Sequence, residues 1–228
     1  MPRLLAARTR LELNWRSWEH RACFREPTWQ RRVSLTIPPA ARALIASGRG
    51  IVLATAHYGA LMFLGRWLVC RDVTPRPVGV LVNDPAWIDR RHRRLPDGRR
   101  LAPRIIAPHQ LRAAHRLLSR GGILIAAMDF PRGRSETVPL GDRTLTLSTG
   151  PLRLAAHTNA AVIPCVAREK WWWRGGVSIA DPLPDSLLHD HPKACASIAR
   201  TLMLWIRQDP FQCSDILLNQ FGTGPAQT

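Results

Sequence analysis

Lysine is almost missing from this chain: of its 33 basic residues only Lys170 and Lys193 are lysines, and the rest are arginines. Acidic residues are scarce too, 16 in all, and none lies between Thr28 and Arg71. The five cysteines (Cys23, Cys70, Cys165, Cys195, Cys213) form no CxxC pair. An odd, scattered set argues against a disulfide scaffold and a structural zinc site, and fits a reducing compartment. No apolar run reaches the ~20 residues that cross a bilayer. Met1 to Ala7 has no apolar core for a secretion signal. The GxSxG elbow, the Walker loop, the GxGxxG fingerprint and HExxH are all absent, which removes the usual hydrolase, nucleotide and zinc-protease signatures. His189-Asp190-His191 flanks Pro192 in an expected loop, and no metal or cofactor is expected.

What is present is positive charge and apolar bulk. The formal net charge is +17, and hydrophobic residues make up 46% of 228 residues. That length and composition suit one folded domain with a full core. The charge attracts phosphates, anionic lipids, nucleic acid or acidic protein without choosing among them. Nine tryptophans in so basic a chain suit the headgroup zone of a membrane, on which the protein would lie.

Periodicity orders the chain. Residues 4–32 read as a basic amphipathic helix, with Leu11, Trp15 and Trp18 on one side. A short helix is expected over 39–47, opened by Pro38 and ended by Gly48. The continuous apolar stretches at 50–56, 78–82, 123–128 and 161–166 have the length and composition of strands buried on both faces. Helices are expected at 60–69, 84–95, 110–119, 150–157 and 194–207. A short strand is expected at 105–106. A hairpin is expected from Thr137–Leu140 and Arg143–Leu147 around Gly141-Asp142, with further β structure at 171–173 and 177–180. Alternating strands and helices predict an α/β fold: a single domain with a mostly parallel central sheet flanked by helices, plus the N-terminal basic helix. The boundaries read as 1–37 for the N-terminal segment, 38–215 for the α/β domain and 216–228 for a flexible tail.

In such sheets ligands gather beyond the carboxyl ends of the strands. His57 and Asp129 both sit at such ends. A neutral imidazole at His57 can serve as a general base near neutral pH. Its sequence neighbourhood holds no acid to orient it, so Asp129 is the first candidate. Arg132 and Arg134 surround Gly133 just past a strand and form a candidate anion pocket. Arg91 stands in the cluster Arg90-Arg91-His92-Arg93-Arg94, either a solvated face or a contact for lipid headgroups.

The order of these pieces carries a resemblance. The run Gly48-Arg49-Gly50-Ile51-Val52-Leu53-Ala54-Thr55-Ala56-His57-Tyr58-Gly59 resembles the first motif of lysophospholipid-acyltransferase-like enzymes. It is nearest to the "GrGvillsaHfGnwE" pattern of the lipid A late (lauroyl/myristoyl) acyltransferase branch. Asn83-Asp84-Pro85 with Asp89 resembles "NP..D". Leu117-Leu118 to Met128-Asp129 resembles "L..GG.v..l.D". Gly141 with Thr146 to Ala155 resembles "fG.p..t..G.a.lA". Thr158 to Pro164 resembles "tgApvvP", and Pro210-Phe211-Gln212 is similar to the terminal "PeqW". The likeness covers roughly residues 40–215. Phe130 to Ser135 also resembles the "FPEGTRS" motif of glycerolipid relatives, with Arg132 in place of their Glu.

The resemblance implies that His57 deprotonates an acceptor hydroxyl, which then attacks an acyl thioester. In the family an acid five positions after the histidine orients it; here that position is Met62. The implied function is transfer of a fatty acyl group from acyl carrier protein or CoA to a hydroxyl or amine of a lipid or small acceptor. His57 and Asp129 would be catalytic, and Arg132, Arg134, Arg91, Tyr58 and Gly59 would bind substrate or anion. The implied partners are the donor and an anionic membrane surface, at the cytoplasmic face of the inner membrane. The usual N-terminal membrane helix of the family is not recognised here. Two other readings stand beside this one. The first, motivated by Met62, is an impaired homologue acting as a basic lipid- or carrier-binding subunit. The second is nucleic-acid binding, for which no recognition signature is present.

Overall fold

The structure is a computed structural model, and it describes residues 33–70, 74–83, 85–86, 103–131, 133–170 and 174–223. The expected helix at 4–32, the β structure at 171–173 and all of the expected 84–95 helix except the helical residues 85–86 lie outside the described residues.

Four apolar runs pair side by side. They are β2 (Ile51–Thr55), β3 (Val78–Leu81), β5 (Ile123–Ala127) and β8 (Ala161–Lys170). Every residue of β2 is buried, because β2 is a central strand covered on both faces. With β1 (Val33–Thr36), β4 (Arg104–Ile106) and β9 (Arg174–Ile179) they build a seven-stranded sheet in the order β1-β9-β8-β2-β5-β3-β4. All neighbours run parallel except β8 and β9. This is the mostly parallel α/β sheet that the alternating pattern predicts.

Alternation along the strands divides the core in two. Val52, Ala54, Leu124, Ala126 and Val162 face one side, and Ile51, Leu53, Ile123, Ile125 and Ile163 face the other. Three helices cover the first side: α3 (Leu111–Ser119), α4 (Gly150–Thr158) and α5 (His191–Gln208). The second is covered by α1 (Pro39–Ala46) and α2 (Leu61–Cys70), with Phe63, Leu64 and Trp67 packed on the sheet. The buried residues of α5, namely Ala194, Cys195, Ile198, Ala199, Leu202 and Ile206, recur at three- and four-residue steps, the stripe of a helix with one face in the core. Asp190 caps it by accepting the Lys193 N–H at 3.1 Å. The helix therefore begins before the expected residue 194 and takes in the expected loop at His191.

A second, three-stranded antiparallel sheet lies over this core. It comprises the expected hairpin, β6 (Ser135–Leu140) and β7 (Arg143–Ser148), together with β10 (Phe221–Thr223). Two boundaries differ from expectation. Val33–Thr36 is a strand of the main sheet, paired in register with Gly175 to Ser178, and not part of an N-terminal helix. Residues 216–223 are not a free tail: α6 (Asp215–Leu218) leads into β10, which pairs with Arg143 to Leu145 of β7. Residues 224–228 lie outside the described residues.

Candidate active site

The register of the two central strands builds the site. Thr55 of β2 pairs with Ala127 of β5. Continuing that register by two residues brings His57 opposite Asp129 at the carboxyl edge of the sheet. The side chains meet there. Asp129 Oδ1 lies 2.9 Å from His57 Nδ1, and both carboxylate oxygens accept the His57 backbone N–H, at 3.0 and 2.9 Å. Asp129 is completely buried, whereas the His57 side chain is 27% exposed.

A carboxylate so far from water is stable only because these donors satisfy it. The arrangement also fixes the tautomer. A neutral His57 donates its Nδ1–H to Asp129 and leaves the Nε2 lone pair free, and no described residue hydrogen-bonds Nε2. The Phe130 ring stands edge-on to the imidazole with centroids 6.1 Å apart. The result is an imidazole with one nitrogen oriented by a carboxylate and no described partner on the other, the geometry that general-base catalysis requires.

The turn after His57 is held from another direction. Gly59 adopts φ +58°, and a Cβ at that position would come within 2.3 Å of the Ala167 carbonyl oxygen. Only glycine fits there. Its N–H donates to the Gln212 carbonyl at 2.7 Å, while the His57 carbonyl accepts from the Ser214 N–H at 3.0 Å. Gly59 thus serves backbone geometry.

Tyr58 departs from its expected role in substrate binding. It is buried, 1% exposed, and its hydroxyl reaches the Trp205 and Asp209 carbonyls at 3.0 Å each. Burial, with the Asp209 charge adding, holds its phenol well above the ordinary value. Tyr58 anchors the turn to the end of α5.

The remaining expected residues divide. Arg134 is exposed in the loop that follows Asp129, and its carbonyl accepts from the Thr149 N–H and hydroxyl. Arg132 and Arg91 lie outside the described residues, as do Asp84 and Asp89. Met62 lies in the first turn of α2, and its side chain is outside the described part. Sequence reading missed Gln212, which is 3% exposed. Its Oε1 accepts from the Glu169 N–H at 2.9 Å and its Nε2 donates to the Glu169 carbonyl at 3.1 Å. A single glutamine after a proline gives no periodic signal, so only its place in the "PeqW"-like segment marked it.

An open groove of about 620 Å³ runs between α3 and α4, lined by Leu111, Arg112, His115, Arg116, Leu154 and His157. Its rim is cationic, and Leu111 is 57% exposed. The helix α3 starts at the same sheet edge as His57, because it follows β4, which runs parallel to β3. No helix among the described residues is long and apolar enough to cross a membrane.

Residues 40–221 match the family model described as bacterial lipid A biosynthesis acyltransferase. A comparison with curated proteins finds no match.

Proposed function

The chain belongs to the bacterial lipid A biosynthesis acyltransferase family, and from that premise we propose that it transfers a fatty acyl group from a thioester donor to a lipid acceptor, with His57 as the general base. The carrying observation is the 2.9 Å contact between His57 Nδ1 and the buried Asp129 carboxylate, with no described residue hydrogen-bonded to Nε2.

Nε2 of His57 takes the proton of the acceptor hydroxyl as its oxygen attacks the thioester carbonyl. The C–S bond of the tetrahedral intermediate then breaks, and the departing thiolate takes the proton from the imidazolium. Asp129 stabilises that imidazolium and keeps the ring in one tautomer. The donor is an acyl carrier protein or CoA. Both are anionic, which suits a chain of charge +17. Arg134, together with Arg132 and Arg91 from the sequence, is proposed to engage phosphate of the donor or acceptor. The arginine-rimmed groove beside α3 supports attachment to an anionic membrane surface, which for this reading is the cytoplasmic face of the inner membrane.

The alternative of an impaired, basic binding subunit rests on Met62 and would gain if no carboxylate reached His57. Asp129 lies within reach, so the active reading is preferred. The test is transfer of a labelled acyl chain to lipid acceptor by purified protein. Transfer by the wild type and its loss in Asp129→Asn support the reading. An Asp129→Asn protein as active as the wild type would end the assigned role of the pair.

A further inference from the structure

Residues 57–59 carry the base, yet many of their ties come from the far end of the chain. The Ser214 N–H donates to the His57 carbonyl, and the Gly59 N–H to the Gln212 carbonyl. Tyr58 forms a bridge with Cys213, and its hydroxyl reaches the Trp205 and Asp209 carbonyls. The turn is therefore sandwiched. Asp129 grips His57 from β5, and residues 205–214 grip the same three residues from the end of α5.

Beyond those backbone bonds, one side chain ties residues 210–214 to β8. Gln212 pairs with both backbone polar groups of Glu169 on β8, as a neighbouring strand would. Its Nε2 also donates to Asp209 Oδ2 at 2.5 Å. These bonds are made in a nearly water-free place, 3% exposed, where an unmade hydrogen bond is costly. We propose that Gln212 is a positioning residue for His57: its side chain fixes the C-terminal turn on β8, and the backbone of that turn sets the angle of the imidazole against Asp129. Glutamine suits the task because a single amide can accept from the N–H and donate to the C=O of the same residue. The proposal rests on the reading of His57 as the base.

The test uses the full chain with Gln212→Met, which keeps the length and apolar volume of the side chain and removes both bonds to Glu169. The readouts are kcat and KM for acyl transfer, the low-field Nδ1–H proton resonance of His57, and thermal melting. The expected result is a kcat reduced about ten- to a hundredfold, the cost of a small misplacement of a catalytic group. KM should stay within about twofold, because no binding group is touched, and the resonance should shift or broaden. Arg49→Ala is the stability control. It breaks the Arg49 pair with Asp185 at the opposite end of β2, so melting should fall while kcat and resonance stay. Should Gln212→Met fail to fold, Gln212→Glu serves instead. Its protonated carboxyl can donate to the Glu169 carbonyl and its ionised form cannot, so its kcat relative to wild type should rise as pH falls. A wild-type kcat and resonance in Gln212→Met, a pH-independent ratio in Gln212→Glu, or an equal kcat loss in Arg49→Ala overturns the inference. The resonance reports on the ring without turnover, so it separates failure of this inference from failure of the catalytic reading.

Discussion

At the scale of single residues, the pairing of His57 with Asp129 depends on strand register and little else. Asp129 is 72 positions away, and what joins them is the neighbouring placement of β2 and β5. Two strand ends in the sequence were enough to name both residues, but the contact itself needed the sheet order. Tyr58 adjoins His57 in sequence, but its side chain enters the core, which adjacency alone does not show. Gln212 was missed because a buried polar side chain leaves no mark in a hydrophobic pattern. Replacing Asp129 by Asn should leave the ring in the wrong tautomer and lower kcat by about three to four orders of magnitude, measured by initial rates of transfer. The thiols give a second check. Burial pushes Cys165 and Cys195 up to about 12 and Cys213 up to about 11, from an ordinary 9.0. Their neutral forms dominate at pH 8, so native protein should alkylate at these three positions far more slowly than unfolded protein, as peptide mass spectrometry would read. The unfolded thiols lose protons from about pH 9 while the folded ones hold them. Stability should therefore fall as pH rises from about 9 towards 12, and urea melts across that range measure it.

At the scale of elements, the long apolar runs were legible because a central parallel strand needs no alternation. The edge strands were not. Val33–Thr36 and Phe221–Thr223 are short, and each depends on a single neighbouring strand. Such segments take their conformation from tertiary pairing, which local propensity does not report. The two kinds of strand should also differ in energetic weight. Leu53 is 1% exposed in the middle of β2, so Leu53→Ala should cost about 2–5 kcal/mol, read as a shift in the urea midpoint. On β9, the strand next to the edge strand β1, packing is limited by one contact: a Cβ on Gly175 would lie 2.3 Å from the Trp67 ring. Gly175→Ala should lower the melting temperature, and Gly175→Ala with Trp67→Leu should recover part of the loss. No recovery in the double variant would mean that the ring contact is not what limits this position.

At the scale of the whole molecule, net charge was the plainest sequence feature, but by itself it did not select a partner. The fold sharpens it by gathering Arg112, Arg116, His115 and His157 around the exposed Leu111, on a flank that begins at the sheet edge that carries His57. Arg112→Ala with Arg116→Ala should weaken binding to vesicles rich in anionic phospholipid by about tenfold or more, measured by cosedimentation. Raising salt should weaken the wild type in the same way. Equal binding by the double variant, or to neutral vesicles, would move the contact elsewhere.

The central claim joins the three scales: a family acyltransferase sheet delivers His57 to its edge, and the free Nε2 does the chemistry. The direct measurement is the rate at which purified wild-type and His57→Ala proteins transfer a labelled acyl chain from a thioester donor to a lipid acceptor, with melting curves to show that both are folded. The account predicts transfer by the wild type and a loss of about three orders of magnitude or more in the variant. A folded His57→Ala protein that transfers at the wild-type rate would contradict it.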